Sequence, residues 1–163
     1  MATSKSKKSP LPKLVQYALK GVAHAITPFP DTMRDAEEIA AWLGVSPAQV
    51  FKTLVVLLPN SEKKKYLVMV AANQQLNLKL FASAVGEKKL VMASHTQAEK
   101  LTGLQVGGIS ALALPHKNFK VYLDESANKF EKIFVSGGKR GLDLEIAVSD
   151  LVQITKAKFV KAA

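Results

Sequence analysis

The sequence predicts a single mixed α/β (α+β) domain, and three observations carry that prediction. First, 163 residues at 48% hydrophobic and 22% charged suffice for one real core and are too apolar for a disordered chain. Second, residues 50–58, VFKTLVVLL, form an apolar, β-branched run of strand length broken only by Lys52, and residues 66–72 form another. Pro59-Asn60 and a charged tip at 62–65 separate them, so 50–72 reads as a hairpin. Third, segments with helical spacing alternate with such runs, at 34–43, 76–85 and 94–101. With no internal repeat and no linker, the expected layout is a basic flexible arm over 1–9 and one domain over 10–163.

The elements follow from local chemistry. Pro10 and Pro12 open a helix in which Leu14, Val15, Ala18 and Leu19 recur on one face, and Gly21 stops it. Residues 22–26 read as a short strand, and Pro28 and Pro30 make the next loop rigid. In 34–43, Ala36, Ile39, Ala40 and Leu43 form the inner face. Asp35, Glu37 and Glu38 suit the first turn, and Gly44 caps the end. Ser46 caps a short turn begun by Pro47, which delivers the chain into the Lys52 strand. The helix at 76–85 starts near Asn77 and stops before Gly86, and a short strand is expected at 88–92. Ser94 and Gln97 make a capping-box pattern. Strands are then expected at 119–123, 132–135 and 143–147, with a turn or short helix at 124–129 and a glycine loop at 136–142. Ser149 opens a last helical turn.

Composition excludes several function classes. The absence of Cys removes disulfides, thiol nucleophiles and Cys-based metal sites. His24, His95 and His116 form no spaced pair, so no metal site and no cofactor is expected. No apolar run approaches the ~20 residues that span a bilayer, and no apolar segment follows the N-terminal lysines, so a cytoplasmic protein without membrane contact is expected. Net charge is +10, and most of it sits at the two ends: Lys5, Lys7, Lys8, Lys13 and Lys20, then Lys156, Lys158 and Lys161. Basic arms beside a polyanion site are one reading, and solubilising termini are the other.

Three places could carry chemistry. The ammonium of Lys52 either snorkels to water at the strand end or meets a designated partner at the core's rim. Val106-Gly107-Gly108-Ile109-Ser110 and Val135-Ser136-Gly137-Gly138-Lys139-Arg140-Gly141 each set paired glycines between apolar residues. Such pairs either cradle an anion with successive amides or make a hairpin turn and a sheet bulge. Neither has Walker or dinucleotide spacing, and no nucleophile elbow or triad is present. A hydrolase of this kind would stabilise a developing oxyanion and use a bound water or a substrate group as nucleophile.

In their order and separations these two segments, together with Leu43-Gly44-Val45-Ser46-Pro47-Ala48-Gln49-Val50-Phe51-Lys52-Thr53-Leu54-Val55, resemble the YbaK family. That family comprises aminoacyl-tRNA deacylases related to the editing insertion domain of prolyl-tRNA synthetase. The third motif, running on through Leu142-Asp143-Leu144-Glu145, is the most diagnostic, and the likeness extends roughly over 17–159. It implies a barrel-like mixed sheet surrounded by helices, and cleavage of the ester between a wrong amino acid and the tRNA 3′ end, by hydrolysis or by attack of the substrate's own thiol. Lys52 matches the family's essential lysine, and Gly107 and Gly108 match the loop beside the scissile carbonyl. Ser136 and Asp143 match polar residues that frame the pocket, with Gly137, Gly138 and Arg140 in the same loop. The implied catalytic set is therefore Lys52, Gly108, Ser136 and Asp143. Ile26, Phe29, Gly107, Ser110, Gly137, Gly138 and Arg140 are the implied substrate-binding residues. Two departures bear on amino-acid choice: Ser110 is followed by Ala111-Leu112-Ala113 instead of a proline and a glycine, and Ile26 stands near where Cys-selective members place a tyrosine. The implied partners are aminoacyl-tRNA and a synthetase such as prolyl-tRNA synthetase, with no DNA. A binding module that keeps the fold without turnover is the alternative, and a phosphate-binding enzyme using Lys139 and Arg140 is a third.

Overall fold

The computed structural model describes residues 9–163, so all of the predicted arm except Ser9 lies outside the described residues. Among the described residues five α-helices and eight strands follow one another: α1 (Lys13–Ala18), β1 (His24–Pro28), α2 (Ala36–Leu43), β2 (Phe51–Leu58), β3 (Ser61–Ala71), α3 (Leu78–Val85), β4 (Val91–Met92), α4 (His95–Thr102), β5 (Phe119–Asp124), β6 (Lys132–Lys139), β7 (Leu142–Ala147), α5 (Val148–Thr155) and β8 (Lys158–Val160). Short 3-10 turns occupy Pro47–Gln49, Ala111–Ala113 and Glu125–Lys129. No helix among the described residues is long and apolar enough to cross a membrane.

The class is the expected α/β mixture, but among the described residues the strands form two sheets and no closed barrel: β1-β7-β6 and β4-β2-β3-β5-β8. The sheets meet at one isolated parallel bridge, Val50 to Phe134. Side-chain packing of Ala40, Val50, Ala72 and Phe134 holds that seam. The largest core cluster joins both sheets to α1 and α5, through Val15, Phe51, Met69, Leu123, Val135, Leu144 and Leu151 among others.

Local signals set the helix ends. The side chain of Asp35 accepts from Glu37 N, Ser94 and Gln97 form the capping box, and Asn77 accepts from Leu80 N. Helices α2, α3 and α4 end on left-handed Gly44, Gly86 and Gly103, whereas α5 ends on left-handed Lys156, φ 58°.

Three expectations are corrected. Strand β3 starts at Ser61, because a bulge between Leu57 and Leu58 lets the lysine-rich tip join the ladder. The expected glycine loop at 136–142 is mostly strand: β6 runs to Lys139 with a register shift between Ser136 and Lys139, which leaves Arg140-Gly141 as the turn. The final helical turn is an eight-residue helix, followed by β8, which pairs in parallel with β5.

Candidate functional site

The site forms where β2 loses a neighbour. On the side away from β3, β4 pairs only with Val56 and Leu57, so among the described residues β2 has no strand beside it at Lys52, Thr53 and Leu54. Three other segments close around this gap: the start of α2 with Arg34, Asp35 and Ile39, the loop of Val106, Gly107 and Ile109, and the strand residues Ser136 and Asp143. The cavity they line is open to solvent and measures about 280 Å³.

Ser136 and Asp143 reach it by alternation. In the three-stranded sheet Thr27, Asp143 and Ser136 lie side by side in register, so their side chains share one face. Their chain neighbours Ile26, Leu144 and Val135 turn to the other face and pack in the main core. Asp143 is 6% exposed, and burial alone pushes its carboxyl from an ordinary 3.8 up to about 7. Among the described residues no cation pairs with it. Lys52 is half-buried on the same lining, near the start of β2. Sequence reasoning did not single out Thr53, whose hydroxyl is buried without a hydrogen-bond partner among the described residues. A threonine in a β-branched run carries no sign beyond strand preference.

The remaining predicted residues serve the wall or lie elsewhere. Gly107 lines the cavity with φ +94°. Gly108 is buried behind it, and its N–H donates to Gln105 O at 2.8 Å, so that amide is already engaged. A Cβ on Gly108 would lie 2.8 Å from Arg140 N, which shows how closely the two glycine segments approach. Arg140 Nε donates to Val106 O at 2.8 Å and ties them together.

Gly137 and Gly138 do not line the cavity. They are buried against the start of the chain, where added Cβ atoms would come 3.0 Å from Leu11 Cδ2 and 3.0 Å from Val15 Cγ2. This packing also removes the open amide cradle that a phosphate on Gly137 and Gly138 would need. Ser110 is 2% exposed, and its hydroxyl accepts from Leu112 N to cap the Ala111–Ala113 turn. Phe29 is buried, with its N–H donating to Gly141 O at 3.0 Å. Ile26 packs on the main core. No group of three or more His, Asp or Glu side chains stands together among the described residues.

Comparison with known proteins adds an independent line. Residues 31–154 match the family model for an aminoacyl-tRNA editing domain. EbsC of Enterococcus faecalis, described as a candidate Cys-tRNA(Pro)/Cys-tRNA(Cys) deacylase, is 35% identical over 126 residues, covering 77% of this chain and 75% of that one. The proline–tRNA ligase of Chlamydia abortus is 28% identical over 106 residues, which are 64% of this chain and 18% of the ligase. The crystal structure of a candidate trans-editing enzyme for prolyl-tRNA synthetase superposes with a TM-score of 0.80 at 26% identity, over 96% of this chain and 98% of that one.

Proposed function

This chain belongs to the aminoacyl-tRNA editing domain family, and from that premise we propose that it is a deacylase that cleaves the ester of mischarged tRNA in the Lys52 cavity. The observation that carries the reading is that Lys52, Ser136 and Asp143, on two different sheets, line one cavity with Gly107. An aminoacyl ester is already activated, so one charged donor and one proton acceptor suffice. The Lys52 ammonium donates to the carbonyl oxygen as it gains charge, a contribution of about 3–4 kcal/mol. A water, or the substrate's own side-chain nucleophile, adds to the carbonyl carbon. The Asp143 carboxylate takes the proton released and passes it to the ribose oxygen as the carbon–oxygen bond breaks. A carboxyl near 7 suits both steps at neutral pH. The Ser136 hydroxyl orients the nucleophile.

A cavity of about 280 Å³ that opens to solvent has room for an aminoacyl group. The test is release of amino acid from a panel of mischarged tRNAs, beginning with the Cys-tRNA(Pro) of the EbsC description and comparing wild type with Lys52→Ala. A loss of roughly 10²–10³-fold is expected. Equal rates would remove Lys52 from the mechanism. Binding of tRNA without release from any member would leave the non-catalytic module. The likeness to proline–tRNA ligases makes prolyl-tRNA synthetase the partner to test in co-purification.

A further inference from the structure

We infer that Arg34 and Arg140 together hold the 5′-phosphate of the nucleotide whose ribose carries the ester. The inference rests on the deacylase reading for the identity of that nucleotide. Arg34 stands just before the Asp35 cap of α2 and lines the Lys52 cavity. From the point where a Cβ on Gly107 would sit, Arg34 Cδ is 3.5 Å away and Arg140 Cγ and Nε are each 3.6 Å away. The Arg34 and Arg140 side chains therefore both lie against the exposed backbone of Gly107, which lines the cavity with Arg34. Gly107 has φ +94° and no side chain to block an approaching ligand.

The two arginines are held differently. Arg140 is fixed through Nε by Val106 O, a bond that does not use its two terminal nitrogens. Arg34 is exposed, and among the described residues it forms no ion pair. The neighbouring Asp35 carboxylate accepts from Glu37 N instead. Guanidinium forks match phosphate oxygens two at a time, which a lysine cannot do. If the aminoacyl group fills the cavity and the ribose lies at its mouth, the nearest anion of the RNA is that nucleotide's own phosphate. It is the natural ligand for two cations grouped at the wall.

Two small esters isolate this contact: 3′-aminoacyl-adenosine with and without a 5′-phosphate. Wild type should cleave the phosphorylated ester with kcat/KM about tenfold higher or more, through KM. Arg34→Ala should abolish that advantage, bringing the kcat/KM ratio of the two esters close to one, and Arg34→Lys should restore only part of the ratio. Equal losses on both esters, or on neither, overturn the inference. The same comparison runs as equilibrium binding of 5′-AMP against adenosine at low salt, so it decides the phosphate contact even for a chain that cleaves no ester. AMP binding no tighter than adenosine, or Arg34→Ala leaving the difference intact, would also overturn it.

Discussion

Replacing Asp143 by Asn should stabilise the protein and disable it at once. The carboxyl is pushed from 3.8 to about 7 by burial. The folded state thus holds this proton more tightly than the unfolded chain does. Its contribution to stability therefore falls as pH rises from about 4 to about 7, and the full penalty is present above that window. A shift of roughly three pKa units corresponds to about 4 kcal/mol. Asparagine has the shape of the protonated acid and never ionises. Asp143→Asn should therefore match wild type near pH 4 and exceed it by about 3–4 kcal/mol at pH 8, a rise in Tm of roughly 6–15 °C. Urea titrations of both chains at half-unit steps of pH measure the difference. Deacylation at pH 7 should drop by about 10²–10⁴-fold, because the proton acceptor is gone. In wild type the rate should climb through pH about 7 as the carboxylate forms. Parallel stability curves for the two chains from pH 4 to pH 8 would refute the reasoning, since the carboxylate would then carry no burial penalty.

Further outcomes follow from single contacts. Gly108→Ala places a methyl 2.8 Å from Arg140 N and 2.9 Å from Lys139 C, both main-chain atoms, so the two segments must separate. A loss of about 1–3 kcal/mol in chemical denaturation is expected, with a fall in kcat/KM. Lys156→Gly removes the left-handed strain at the end of α5 and should add about 1 kcal/mol, read as a Tm rise of roughly 2–4 °C. Tyr66→Phe deletes a donor to Glu87 Oε2 at 3.1 Å and should cost about 1 kcal/mol in the same assay, with kcat unchanged.

What could be read from the chain was what local chemistry decides. The caps at Asp35, Asn77 and Ser94 and the glycine stops at Gly44, Gly86 and Gly103 involve residues within four of each other, so their patterns are visible in sequence. Lys52 was visible because a charge in an apolar strand needs an explanation, and it does line the cavity. The family was readable from three motifs together. The unreadable part was non-local. Paired glycines look the same whether a ligand or a helix approaches them, and at Gly137 and Gly138 the neighbours are Leu11, Pro12 and Val15, more than a hundred residues away in sequence. Arg34 joins the site only because α2 docks beside the Gly107 loop. Strand β8 owes its existence to the open edge of β5, not to a pattern of its own.

The seam at Val50 and Phe134 bears on how this site is tuned. The Lys52 ammonium rides on one sheet, and the Asp143 carboxyl and Ser136 hydroxyl ride on the other. Beyond that one bridge, no ladder fixes the two plates relative to each other among the described residues. Side chains alone space them: the main core, where Phe51, Met69 and Leu123 meet Val135, Leu144 and Ile146, and the smaller cluster of Ala40, Val50, Ala72 and Phe134 at the seam. A methyl more or less in that packing acts as a shim, changing the distance from Lys52 to Asp143 and Ser136 without altering any of the three side chains. Substrate choice can thus drift through residues that never touch the substrate.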